Sequence, residues 1–196
     1  QTANYEVDTK EPTVSSVAIT SATGRQNNFV NAEDNVSVTA TFSEVVIVDN
    51  SSGTPTLTIV VGSDNRTASY ASGTGSDDLV FRYTIQSGDN DTNGISIGAN
   101  AIALNSGTIS DPAGNNSTLT HSLVDNNSSY KVDTMAPSVD NFTMDDTEFK
   151  VGDNATVTLV FSEKVILFDS DDDITAPNGT LSTMTSSDNI TWTGTF

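Results

Sequence analysis

The chain contains no cysteine and one histidine, and its 196 residues carry only 7 Lys and Arg against 26 Asp and Glu. Without cysteine no disulfide can stand in for hydrophobic burial, so a domain here has to close on its own core. A formal charge of −19 argues against nucleic acid as a partner, because that affinity rests on Lys and Arg contacts to phosphate. It argues equally against direct contact with an anionic membrane surface. No apolar run approaches the roughly 20 residues of a membrane span, and no charged-then-apolar leader opens the sequence. His121 has no nucleophile motif beside it in Leu119-Thr120-His121-Ser122-Leu123, which reads as strand. Nor does any pair of carboxylates stand apart as glycosidase machinery, so the expectation is a protein without catalytic activity. Aromatic residues are 7% of the chain. The one tryptophan, Trp192, alternates with Ile190 in a strand pattern, as Tyr70, Tyr83 and Tyr130 sit in others, which favours core packing over a carbohydrate platform.

What the chain does have is Thr, Ser, Val, Asn and Asp in period-2 patterns. Val36, Val38, Ala40 and Phe42 share one face; so do Leu57, Ile59 and Val61, then Leu79, Phe81, Tyr83 and Ile85, then Ile95 and Ile97. Turn clusters separate them at 49–53, 73–78, 88–94 and 111–116. No window carries a 3.6-residue apolar stripe. Short strands with regular turn punctuation predict an all-β fold, a sandwich with Greek-key connections.

The chain also repeats. Tyr5-Glu6-Val7-Asp8-Thr9-Lys10-Glu11-Pro12 returns as Tyr130-Lys131-Val132-Asp133-Thr134-Met135-Ala136-Pro137, at an offset of 125 (130 − 5). Asp34 to Glu44 returns as Asp153 to Glu163, at an offset of 119 (161 − 42). The expected organisation is therefore residues 1–11 as the last strand of a preceding repeat plus linker, 12–133 as one domain, 134–137 as linker, and 138–196 as the first half of a second domain. Strands are expected in it near 139–144, 155–161, 165–168 and 190–196. Half a sandwich exposes Leu159, Phe161, Trp192 and Phe196, so later strands or a neighbouring segment would have to cover them.

Ala40-Thr41-Phe42-Ser43-Glu44, Asp89-Asn90-Asp91-Thr92-Asn93-Gly94-Ile95 and Asp111-Pro112-Ala113-Gly114-Asn115 resemble the bacterial immunoglobulin-like repeats of giant secreted surface proteins. So do Val151-Gly152-Asp153-Asn154-Ala155-Thr156-Val157 and Trp192-Thr193-Gly194-Thr195-Phe196 in the second copy. The likeness is greatest to the calcium-dependent extender arrays of adhesins that carry repeats-in-toxin export signals. It implies tandem immunoglobulin-like sandwiches, the second one incomplete, acting as an extracellular spacer on a bacterial surface, with any export signal upstream. Calcium would stiffen the junctions, the partners would be neighbouring repeats or neighbouring copies, and a separate domain would bind the adhesion ligand. A fibre subunit completed by strands of another copy, and a carbohydrate-binding accessory module, are the rival readings.

Calcium is the cofactor expected from so many short acidic side chains. Asp89-x-Asp91-x-Asn93-Gly94 sets oxygen ligands at alternate positions before a turn glycine, with the Ile95 carbonyl at the next position; the same residues also suit an acidic hairpin turn. At the Pro-containing linker, Asp133 could join Asp111, Glu44 or Glu163 around an ion, or could simply cap a turn, and Asp8 would play the same part at the preceding junction. Asp171 and Asp173 belong to the acidic run 169–173, which reads as a cation site or a solvated loop.

Overall fold

The computed structural model describes residues 7–150 and 152–196. The expected strand of a preceding repeat over residues 1–6, and Val151, lie outside the described residues. Two compact units divide the chain, Gln1–Met135 and Ala136–Phe196. None of its helices is long and apolar enough to cross a membrane, among the described residues.

Unit 1 runs through β1 (Val14–Ala22), β2 (Phe29–Val30), β3 (Asn35–Asp49), β4 (Thr56–Val61), β5 (Asp64–Ser72), β6 (Ser76–Thr84), β7 (Asn90–Asp91), β8 (Ile102–Ala103), β9 (Thr108–Ser110) and β10 (Lys131–Asp133). The large sheet has the order β1-β3-β6-β5-β4-β8, with β9 on the far end of β3, and a small sheet has the order β2-β10-β7. All pairings in the large sheet are antiparallel, while β10 runs parallel to β2. Alternation decides which side chains enter the core: Val36, Val38, Ala40, Phe42 and Val46 of β3 are buried, as are Leu57, Ile59 and Val61 of β4. Ile85, Ile95, Ile97, Ile102, Ile109 and Val132, which follow β6 in the chain, join them in one cluster. Each such side chain contributes roughly 1.5–3 kcal/mol on burial. Gly62 turns the β4–β5 hairpin at φ +62°, a conformation that favours glycine. Leu119 to Leu123, expected as strand, is irregular chain instead.

Unit 2 holds β11 (Val139–Met144), β12 (Thr156–Phe161), a single helical turn α1 (Ser170–Asp173) and β13 (Thr191–Thr195), with the sheet order β11-β12-β13. Its register repeats that of β1, β3 and β6. Val14 pairs with Phe42 and Val17 with Ala40; Val139 pairs with Phe161 and Phe142 with Leu159. An irregularity between Val14 and Ser16 recurs between Val139 and Asn141. A hydrogen-bonded clasp recurs as well. Thr13 N donates to Ser43 Oγ at 3.0 Å and Ser43 N to the Thr13 carbonyl at 2.8 Å. In unit 2, Ser138 N donates to Ser162 Oγ at 2.9 Å and Ser162 N to the Ser138 carbonyl at 2.8 Å. No strand forms at 165–168: Leu167 takes φ +69° and points out at 96% exposure, which breaks the expected alternation.

Candidate metal centre

Three acidic side chains meet in unit 1. Asp8, Glu44 and Asp111 each present a carboxylate oxygen, and the three oxygens lie within 4.8 Å of one another. Glu44 lies in β3 directly after the clasp residue Ser43, so the clasp that pins Thr13 also fixes the strand from which Glu44 projects. Asp111 opens the turn after β9. It is 2% exposed, and its carboxylate is tied by Asn115: the Asn115 N–H donates to Oδ1 at 2.8 Å and Asn115 Nδ2 to Oδ2 at 2.7 Å. Asn115 Nδ2 also donates to the Asp8 carbonyl at 3.2 Å. One amide thus stitches the segment entering the unit to the turn that follows β9.

Burial pushes the Asp111 carboxyl up, but the side-chain and backbone donors of Asn115, with the backbone of Gly114 and Ala113, outweigh it and hold the group below its ordinary value. Asp111 therefore stays a carboxylate. Glu44 Oε1 is buried without a hydrogen-bond partner. The nearest cation, Lys10 Nζ, stands 3.7 Å away with its side chain mostly in solvent, too far for a hydrogen bond. Like charges this close repel, and one exposed ammonium offsets only part of that. Two oxygens on opposite sides of a calcium ion, each at 2.3–2.6 Å, stand about 4.8 Å apart, so the spacing suits a hard divalent cation.

The other expected ligands are placed differently. Asp89 is buried, with Oδ1 accepting from Arg66 Nε at 2.7 Å and Oδ2 from the Tyr83 hydroxyl at 2.6 Å and the Gln86 N–H at 2.9 Å. Asp91 Oδ2 accepts from Gly62 N at 2.8 Å, and its Oδ1 from Gly94 N at 2.7 Å and Asn93 N at 3.2 Å. The Ile95 carbonyl accepts from Asn127 N at 3.0 Å. The carboxylate oxygens of Asp89 and Asp91 each accept from protein donors, so the 89–95 loop is held as a hydrogen-bonded corner. Asp133 Oδ1 caps a turn by accepting from Met135 N at 3.1 Å, as Asp8 Oδ1 does from Lys10 N at 3.0 Å. Glu163 follows the unit 2 clasp residue Ser162. Asp173 Oδ2 accepts from Asp169 N at 3.0 Å, and Asp171 Oδ2 accepts from the Thr183 hydroxyl at 2.9 Å. Among the described residues, the only three acidic side chains with converging oxygens are Asp8, Glu44 and Asp111.

Arg66, Tyr83 and Asn115 were not foreseen as partners of these acids. Only the Asp-Pro-Ala-Gly-Asn turn carried a sequence signal, since Asp and Asn at its two ends suit mutual capping. The rings and the histidine are also committed internally. Trp192 meets Phe168 edge-on, with centroids 5.0 Å apart, and packs in the unit 2 core. Tyr70 packs edge-on against Phe81 at 6.2 Å while its hydroxyl accepts from Thr74 N at 2.9 Å. His121 Nε2 accepts from Ala101 N at 2.8 Å, and Nδ1 lies 2.8 Å from the Ser122 carbonyl, so the ring holds two backbone segments together.

The chain is nearly all-β, with antiparallel sheets curled in a sandwich-like way, an architecture consistent with an immunoglobulin-like fold. Residues 133–196 match the family model of a bacterial Ig-like domain. Such domains are typically structural and non-catalytic, and often belong to surface proteins. No curated protein and no solved structure matches the chain.

Proposed function

We propose that this chain is part of the spacer region of a large bacterial cell-surface adhesin: tandem immunoglobulin-like sandwiches, without enzymatic activity, that hold a separate ligand-binding domain away from the cell and are braced by calcium. The observation that carries this reading is the convergence of Asp8, Glu44 and Asp111. Asp8 lies on the segment entering unit 1, Glu44 on β3 and Asp111 on the turn after β9, so an ion shared by them ties that segment to the body of the unit. The lead-in is then held by the ion as well as by Asn115. Removing the ion restores the repulsion and frees the segment, so calcium sets stiffness and not chemistry. Antiparallel sheets and the recurrent Ser43 and Ser162 clasps carry the mechanical load.

The test is small-angle scattering and thermal melting of the chain in calcium and in chelator. Calcium should raise the unit 1 melting temperature, by about 2.7 kcal/mol of stabilisation at a hundredfold excess over the dissociation constant, and give a more extended scattering profile. Superimposable curves in both conditions would remove calcium from the mechanism.

A further inference from the structure

Two Asn-Gly pairs occur in the chain, Asn93-Gly94 in unit 1 and Asn178-Gly179 in unit 2. An asparagine followed by glycine is open to loss of its side-chain amide, because no Cβ on the glycine keeps its backbone nitrogen from the neighbouring side-chain carbonyl carbon. The two pairs share that chemistry and differ in how the backbone nitrogen is held. In unit 1 the nitrogen is committed. Gly94 N donates to Asp91 Oδ1 at 2.7 Å, and Asp91 is buried and fixed through its other oxygen by Gly62 N at 2.8 Å. A carboxylate that accepts this hydrogen opposes its removal. Gly94 is itself buried at φ +106°, where an added Cβ would fall 2.1 Å from the Asn127 carbonyl oxygen. Ile95 is held from both sides, its N–H donating to the Tyr130 carbonyl at 3.0 Å and its carbonyl accepting from Asn127 N at 3.0 Å. The backbone rotation that ring closure at Asn93 requires therefore breaks several hydrogen bonds at once.

Asn178 and Gly179 lie in an exposed turn between α1 and β13, directly after Pro177. Gly179 N points to the Ala176 carbonyl at 3.5 Å, a long bond to a neutral acceptor. We propose that Asn178 is a site of spontaneous covalent modification in the folded chain, while the 89–95 corner protects Asn93. The Gly179 backbone nitrogen attacks Asn178 Cγ, its proton passes to hydroxide, and the side-chain amide takes a proton from water and leaves as ammonia, which closes a cyclic succinimide. Water then opens the ring. Cleavage of the bond from Cγ to nitrogen gives Asp, and cleavage of the bond from the main-chain carbonyl carbon to nitrogen gives isoaspartate, whose backbone runs through Cγ. Either product puts a carboxylate where a neutral amide stood. Isoaspartate also lengthens the main chain at a turn whose Gly179 backbone lies against the Phe196 ring.

The test incubates the whole chain at mildly alkaline pH, once folded and once in guanidinium chloride, and follows its peptides by mass spectrometry, with enzymatic methylation of isoaspartate as a second readout. In the folded chain Asn178 should deamidate at least about tenfold faster than Asn93, the ratio that about 1.4 kcal/mol of barrier sets. In denaturant the two rates should come together, because the hydrogen bonds that hold Gly94 are gone. Asn178→Gln should remove the isoaspartate signal of the folded chain. Equal rates in the folded chain, an Asn178 that deamidates only in denaturant, a folded-state ratio that persists in denaturant, or an isoaspartate signal that survives Asn178→Gln would each overturn the inference.

Discussion

Replacing Asp89 with Ala is the most informative perturbation of unit 1. The carboxylate is fully enclosed and accepts from a guanidinium, a buried phenol and a backbone N–H. Its removal leaves three donors without an acceptor, one of them charged. Breaking a buried ion pair costs about 3–5 kcal/mol. Arg66 keeps 31% of its side chain exposed and can turn partly to solvent, which places the expected loss near the lower end, about 3 kcal/mol. With a urea dependence of about 2 kcal/mol per molar, the midpoint of unit 1 should fall by about 1.5 M. Circular dichroism reads both units and Trp192 emission reads unit 2, so the shift should appear in the first signal and not in the second. The loss should be the same in calcium and in chelator, because Asp89 acts through Arg66, Tyr83 and Gln86. A midpoint unchanged within about 0.3 M, or a loss seen only with calcium present, would refute this reasoning.

The same network sets a pH window. Burial pushes Asp89 up, but the donors from Tyr83, Gln86 and Arg66 outweigh it and hold the group below its ordinary value; the stability this supplies is present above the unfolded pKa of 3.8 and is lost as pH falls through the lower folded value. Burial first, and then Asp89, push Tyr83 up from 10.0 to about 12, so the folded state keeps the phenol neutral and unit 1 should lose stability as pH rises between those values, which pH-dependent urea midpoints would show. Gly94→Ala should cost several kcal/mol, since φ is +106° and an added Cβ would collide with the Asn127 carbonyl; wild-type stability in that variant would mean that the corner yields easily. Ser43→Ala and Ser162→Ala should each lose about 1 kcal/mol by urea titration, one in each unit, because each leaves a Thr13 or Ser138 N–H without its acceptor; no loss in either would show that the clasp carries no load.

Much of the fold was legible because alternation is a local signal: β3, β4, β6 and β12 fall where the apolar residues recur with period two. The recurrence at 125 and 119 carried over even to the pairing register. Val165 to Phe168 failed because nothing in their sequence reports the left-handed backbone of Leu167. For the site, Asp8, Glu44 and Asp111 were all named from sequence, but as contributors to different junctions; their convergence comes from sheet topology, which brings together residues 36 and 67 positions apart (44 − 8 and 111 − 44). In the 89–95 motif, the partner that local pattern does not announce is Arg66, which sits on β5, 23 residues away, and reaches Asp89 only through tertiary contact.

Crystals grown in calcium and recorded at a wavelength where that ion scatters anomalously test the central claim most directly. The account predicts a peak bounded by Asp8, Glu44 and Asp111 with oxygens at about 2.3–2.6 Å, absent in crystals of a chain carrying Glu44→Gln and Asp111→Asn. A peak in the 89–95 loop with none at this triad, or no peak at either, would contradict it.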